Sequence, residues 1–287
     1  MKAICKKEFR GFFTSMTGYV FLALILLLTG VYFTAYHLQA AYPKFAYTLR
    51  AMLFILLLAV PVLTMRSLAE EKHQKTDQLL LTAPVSVTEI VLGKFLALLG
   101  VLGVAAAILA VYPLILLQFG DISLKESYNA LLGFFLMGAA YLAIGLFISS
   151  LTESQVIAAV VTFVVLFVCY VSSGIANFFP DTAGGSYFAL AVLAAILCLL
   201  VYRLTAQVLP ALILALIPEG ALLAVYLLSP SFYEGLIREL FTVINLNAHY
   251  ENFVDGILDL TAVIYYLSVT AVCLFLTVQT IQKRRWS

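Results

Sequence analysis

The chain has 287 residues, of which 64% are hydrophobic and 11% charged, with a mean hydropathy of +1.08. Soluble domains are roughly half apolar and about a quarter charged, so a soluble enzyme is excluded and a polytopic membrane protein indicated. A formal net charge of +1 gives no electrostatic footprint for nucleic acid.

The chain opens with Ile4, Phe9, Phe12, Phe13 and Met16 set against Lys6, Lys7 and Arg10. At helical spacing this is one apolar and one basic face, predicting a helix over residues 1–17 that lies on the membrane surface. The apolar run that follows reaches about Tyr36. That is long for a cleaved signal sequence, and an uncleaved first span is expected. Further apolar runs place spans at 18–38, 48–65, 93–119, 127–149, 154–177, 187–203, 206–228 and 260–281. In lipid each backbone amide needs an internal partner, so these runs must be helical. The expectation is an all-α bundle of six to eight transmembrane helices forming a single domain over 1–287, with six spans if 187–228 is not a full hairpin.

Lysine and arginine placement gives the orientation. With the N-terminus inside, twelve of the sixteen basic residues fall on inner segments. Lys44, Arg50, Lys125 and Arg238 fall outside, with eight of the fifteen acidic residues. Both termini are therefore expected to be cytoplasmic.

Between the second and third runs lies a polar interruption from Met65 to Gln78, followed by Leu79-Leu80-Leu81-Thr82-Ala83-Pro84-Val85. A charged stretch of that length must sit in water, within a cytoplasmic loop over 66–92. Ser86 and Glu89 have capping-box spacing, with Val85 placed to staple onto Ile90. The third helix should then start near 87, below the membrane, so that Glu89 and Lys94 stay out of lipid. Ala83-Pro84-Val85 would be a fixed elbow. Thr152 with Gln155 (Leu151 facing Val156), Ser123 with Glu126 and Ser231 with Glu234 repeat the pattern.

In the extracytoplasmic segment over 229–259, Phe232, Leu236, Ile237, Leu240, Phe241 and Ile244 oppose Glu234, Arg238 and Glu239. This predicts an outer amphipathic helix before the last span, either a plain membrane-surface helix or a docking face for an extracytoplasmic partner. Glu219, after Pro218 in the seventh run, is an ionisable residue at membrane depth. It faces a polar path or sits in a hydrated kink. The pairs Gly103/Ala107, Ala139/Ala143 and Gly145/Ser149 would allow close helix contact. Cys169, Cys198 and Cys273 lie in apolar runs, where cysteine is a small hydrophobe. There is no phosphate-binding loop, no HExxH and no clustered metal-ligand spacing in the sequence. No catalytic or metal residue is therefore expected, and an intramembrane enzyme would need Glu219 and a second polar group.

Arg66-Ser67-Leu68-Ala69-Glu70-Glu71-Lys72, then Thr76-Asp77-Gln78 through Ser86, then Glu89-Ile90-Val91-Leu92-Gly93-Lys94 resembles the first cytoplasmic loop of ABC-2 type transporter permeases. Glu8-Phe9-Arg10, the Ser149–Gln155 turn and the stretch from His249 to Leu260 are similar to the gliding-motility-type branch. Two departures stand out. Family loops usually carry Gly before the position of Thr76, where this chain has Lys75, and the 187–228 hairpin exceeds a minimal six-span permease.

The resemblance implies the permease subunit of an exporter in the plasma membrane of a prokaryote. It pairs with a second permease copy or a paralogue, and with separate ATPase subunits that hold ATP and magnesium, so no cofactor is expected here. Glu70, Glu71, Lys72, Thr76, Asp77, Gln78, Leu79, Leu80, Leu81, Pro84 and Val85 would form the ATPase-coupling interface, the leucines entering a groove and the charged residues making a polar rim. The alternative is a mechanical or assembly subunit that passes ATPase work to an extracytoplasmic or single-span accessory protein without a solute path.

Overall fold

The computed structural model describes residues 1–76, 85–120, 122–176, 178, 182–192, 226 and 233–286, with backbone alone for Ser173, Ile237 and 284–286. Every regular element among them is helical. In chain order these are α1 (Lys2–Thr14), α2 (Met16–Phe33, continuing as a π-helix over Thr34–Gln39), α3 (Ala46–Thr64), α4 (Ala69–His73), α5 (Val87–Leu109) and α6 (Tyr112–Leu116). There follow α7 (Leu124–Leu151), α8 (Gln155–Ala176), α9 (Ala183–Val192), α10 (Leu236–Ile244), α11 (Glu251–Val254) and α12 (Leu260–Trp286).

Six helical segments are long and apolar enough to cross a membrane: Met16–Gln39, Ala46–His73, Val87–Leu116, Leu124–Leu151, Gln155–Ser172 and Leu260–Lys283. They answer to six of the predicted runs, with ends that agree to within eight residues, and the chain is a multi-pass membrane protein. The runs at 187–203 and 206–228 lie mostly outside the described residues, as does Glu219. Two of the predicted caps form as expected. Ser86 Oγ accepts the N–H of Glu89 at 3.3 Å and Ser123 Oγ that of Glu126 at 3.4 Å, each satisfying a backbone donor that a helix start leaves open. The cap of α8 is corrected. Ser154, not Thr152, precedes the helix and accepts the N–H of Ile157 at 3.5 Å, while Thr152 Oγ1 accepts the N–H of Ser154 at 3.2 Å. Both residues can cap, and the second one wins. Ser231 lies outside the described residues.

The chain divides into two compact units, 1–168 with 249–287, and 169–248. In the first, α7 is the central helix. Some 78% of its apolar window is buried, against 17% for that of α12, and α3, α5 and α12 all pack on it. Small residues make this approach possible. A Cβ added to Gly138 would stand 2.7 Å from the Leu102 side chain, and one on Gly145 2.5 Å from Thr64 Oγ1. Gly145 is thus a contact point, as expected of its pairing with Ser149. Gly103/Ala107 is not: Gly103 faces open space and Ala107 is exposed. The buried stripe of α5 runs through Leu98, Val101, Leu102, Ala105 and Leu109, which turns that pair outward.

The helix expected over 1–17 forms as α1 (Lys2–Thr14), and its Ile4, Phe9 and Phe12 find cover within the protein. A Cβ on Gly93 would stand 3.2 Å from Ile4 Cβ, and one on Gly100 2.9 Å from the Phe9 ring. Phe12 is buried. These two glycines, one heptad apart on α5, form a seat that α1 occupies. Its Lys2, Lys6, Lys7 and Arg10 stay exposed, as does Met16.

At the far end of this unit from α4, ion pairs join Lys44 to Glu126 at 3.7 Å and Arg50 to Glu251 at 2.9 Å. Tyr250 donates to the carbonyl of Ala130 at 3.1 Å. Phe253 fills the space over Gly133. The Asn252 amide donates to Asp259 at 2.8 Å and holds that carboxyl below its ordinary range.

In the second unit the rings of Tyr187, Tyr226 and Tyr233 cluster with centroids 4.9–6.2 Å apart. The amphipathic stretch before the last span forms a helix, α10, but it begins at Leu236, after Gly235 at φ +73°. Leu236, Leu240, Phe241 and Ile244 lie on it, with Leu240 and Ile244 exposed. Phe232 and the Ile237 side chain lie outside the described residues.

Candidate coupling site

The candidate site is built on α4, the short helix after the polar turn that ends α3. A five-residue helix has little stability of its own, since nucleation costs more than so few hydrogen bonds return. Three anchors hold it. At its start, Ser149 Oγ at the end of α7 accepts two backbone N–H groups, from Leu68 at 3.2 Å and Ala69 at 3.0 Å. Along its side, Lys72 donates its ammonium to the carbonyl of Ser150. At its end, the N–H of Thr76 reaches the carbonyl of Glu71 at 3.0 Å, and that of Lys75 reaches Lys72 at 3.1 Å. This pair of bonds is the Schellman motif. It needs a left-handed residue after the cap, and Lys75 sits there at φ +57°. Glycine adopts that conformation without a steric penalty, which accounts for glycine being usual at this place in the loops this chain resembles.

The charges around α4 form two groups. Arg66 grips Glu70 with two hydrogen bonds, at 2.7 and 3.0 Å, and Gln74 adds a third at 3.2 Å. Deeper in, the Lys94 side chain on α5 is fully buried, with 0% exposure. Its ammonium lies 2.7 Å from Glu71, 3.2 Å from Glu8 on α1 and 2.9 Å from the carbonyl of Ser67. The two carboxylate side chains are 17% and 16% exposed. One buried cation thus joins three elements, with all three donor directions of the ammonium used. A cleft of about 310 Å³ adjoins the cluster, lined among others by Lys7, Glu8, Phe12, Arg66, Glu70 and Thr76.

Of the residues expected at the interface, Glu70, Glu71, Lys72, Thr76 and Val85 are described. Asp77, Gln78, Leu79, Leu80, Leu81 and Pro84 lie outside the described residues. Thr76 is exposed. Glu71 turns inward to Lys94 instead of standing on an outer rim. Lys94, expected to stay out of lipid, is sheltered inside protein, with partners supplied by α1, α4 and the turn before α4. Sequence reasoning missed Glu8, Ser67, Ser149 and Ser150 as members of the site. The available signal was Lys94 itself, since an ionisable residue in an apolar helix requires a named partner. Glu8, the one acid among four basic residues of the first ten, was the candidate for it.

Among the described residues no group of three or more His, Cys, Asp or Glu is placed to hold a metal ion. A family model described as ABC-2 family transporter protein matches residues 18–276, taking in α4, four of the six long helices whole and most of the first and last. No curated protein matches the chain.

Proposed function

We propose, starting from the fact that this chain belongs to the ABC-2 transporter family, that it is the permease subunit of an exporter driven by ATP hydrolysis on a separate subunit. The chain is a membrane component of such a transporter. The finer reading gives it both termini in the cytoplasm of a prokaryotic cell and a location in the plasma membrane. A second permease copy or a paralogue lies beside it, and two ATPase subunits holding ATP and magnesium lie below. The loop over 66–92 is the coupling element. Leu79, Leu80 and Leu81 enter a groove on the ATPase in the helix-in-groove manner. Lys72, Thr76, Asp77 and Gln78 make polar contacts around them, and Pro84 and Val85 carry the motion into α5. Two packings of the bundle then open to one side or the other.

The observation that carries this reading is the joint presence of the family match and of an α4 fixed to α7 and α5 at the end of the bundle. A hairpin whose root is pinned in this way can pass a push at its tip to the spans. The test is the double variant Leu79→Asp with Leu80→Asp. Its expected outcome is loss of ATPase co-purification with the thermal unfolding temperature unchanged. Normal co-purification would remove the docking site.

A further inference from the structure

We propose that Lys94 is a positioning residue that makes α1, α4 and α5 move as one piece, so that the N-terminal helix is part of the driven machinery and not a passive surface helix. This rests on the reading that the loop over 66–92 receives the ATPase.

The geometry has two layers. The first is polar: the ammonium of Lys94 is shared between Glu71 before the end of α4, Glu8 on α1 and the carbonyl of Ser67. Removing one partner from a buried charge cluster leaves an unpaired charge in a low-dielectric site, which is strongly unfavourable. A movement that carries α4 away from α5 while α1 stays behind would separate these groups. A movement of all three together keeps every contact. The second layer is apolar. Ile4 sits over Gly93, the residue next to Lys94, and Phe9 sits over Gly100. With no Cβ at either place, α1 comes close enough to α5 for Glu8, between Ile4 and Phe9 in the chain, to reach the ammonium. The route through Lys94 is separate from the one through Pro84. It enters α5 about two turns into the helix, from the opposite arm of the loop.

The experiment is hydrogen exchange read by mass spectrometry on the chain co-purified with its ATPase. It compares the nucleotide-free complex with the complex holding a non-hydrolysable ATP analogue and magnesium. Exchange over residues 69–76 and over residues 2–14 is expected to change together. In Lys94→Met the response of 2–14 falls to within error while that of 69–76 persists. Glu71→Gln, which keeps the Lys94–Glu8 pair and the glycine seat, does the same, and it decides the matter should Lys94→Met not assemble. Lys94→Arg, which keeps the charge, restores the joint response in part. A response at 69–76 with none at 2–14 in the unsubstituted complex overturns the inference, as does a joint response that survives in both variants. Absence of any co-purified ATPase instead sinks the functional reading beneath it.

Discussion

The two ends of the first unit solve the same local problem with opposite chemistry. Each carries a short helix closed by a Schellman motif: α4 ends through Thr76 and Lys75, and α11 through Ile257 and Gly256, whose N–H groups reach Asn252 at 2.9 Å and Phe253 at 3.2 Å. The left-handed residue is glycine at α11 (φ +80°) and lysine at α4 (φ +57°). α11 is held by apolar packing of Phe253 over Gly133 and by a tyrosine hydroxyl, with the Arg50–Glu251 ion pair on the exposed rim. α4 is held by buried charge and by hydroxyl-to-backbone bonds. Apolar packing is non-directional and tolerates small shifts, whereas a buried ion cluster has few acceptable geometries and large penalties between them. One end can shift slightly and keep its contacts, and the other keeps them only when the elements that carry them move together.

The largest effect that would sharpen this contrast is at Lys94. Lys94→Met leaves two carboxylates facing each other and should cost about 3–5 kcal/mol, read as a large drop in thermal unfolding temperature in detergent. A drop no greater than that of a surface substitution would break the contrast. Next come the left-handed positions. Lys75→Gly relieves a side chain held at positive φ and should stabilise by roughly 1 kcal/mol. Gly256→Ala should destabilise by about as much or more, because its Cβ would also stand 2.6 Å from Glu126 Cγ. Paired unfolding curves check both, and equal signs would refute the assignment. The smallest effect is expected at the exposed rim. Removing the Arg50–Glu251 pair, whose side chains are about half exposed, should change stability by less than about 1 kcal/mol, with a double-mutant cycle as the measurement.

What the sequence disclosed follows the range of the interactions. The six long helices were legible because length and hydropathy are local properties, and the caps at Ser86 and Ser123 because they span three residues. The cap at Ser154 was misplaced by two positions, since Thr152-Glu153-Ser154 offers two residues able to do the same work. The Lys94 cluster was not legible because Glu8 is 86 residues away and Ser149 is 80 from the amide it receives. Only the packing of α1 and α7 around α5 brings these groups together. The amphipathic pattern of α1 was read correctly as a pattern, but apolar spacing does not say whether lipid or protein covers the face. Gly93 and Gly100, spaced by a heptad, were the overlooked clue that protein does. Among the predicted close pairs, Gly145/Ser149 and Gly103/Ala107 look alike in sequence. The side of the helix on which the heavier residues lie separates them.

The glycine seat has a consequence for how the molecule is made. Ile4, Glu8 and Phe9, which occupy it, are synthesised 86 to 91 residues before Gly93, Lys94 and Gly100, which form it. In the interval Ile4 and Phe9 lack the cover of α5, and Glu8 lacks its ammonium partner. The closing of the Lys94 pair therefore waits on the emergence of α5, whatever the order in which the other helices pack.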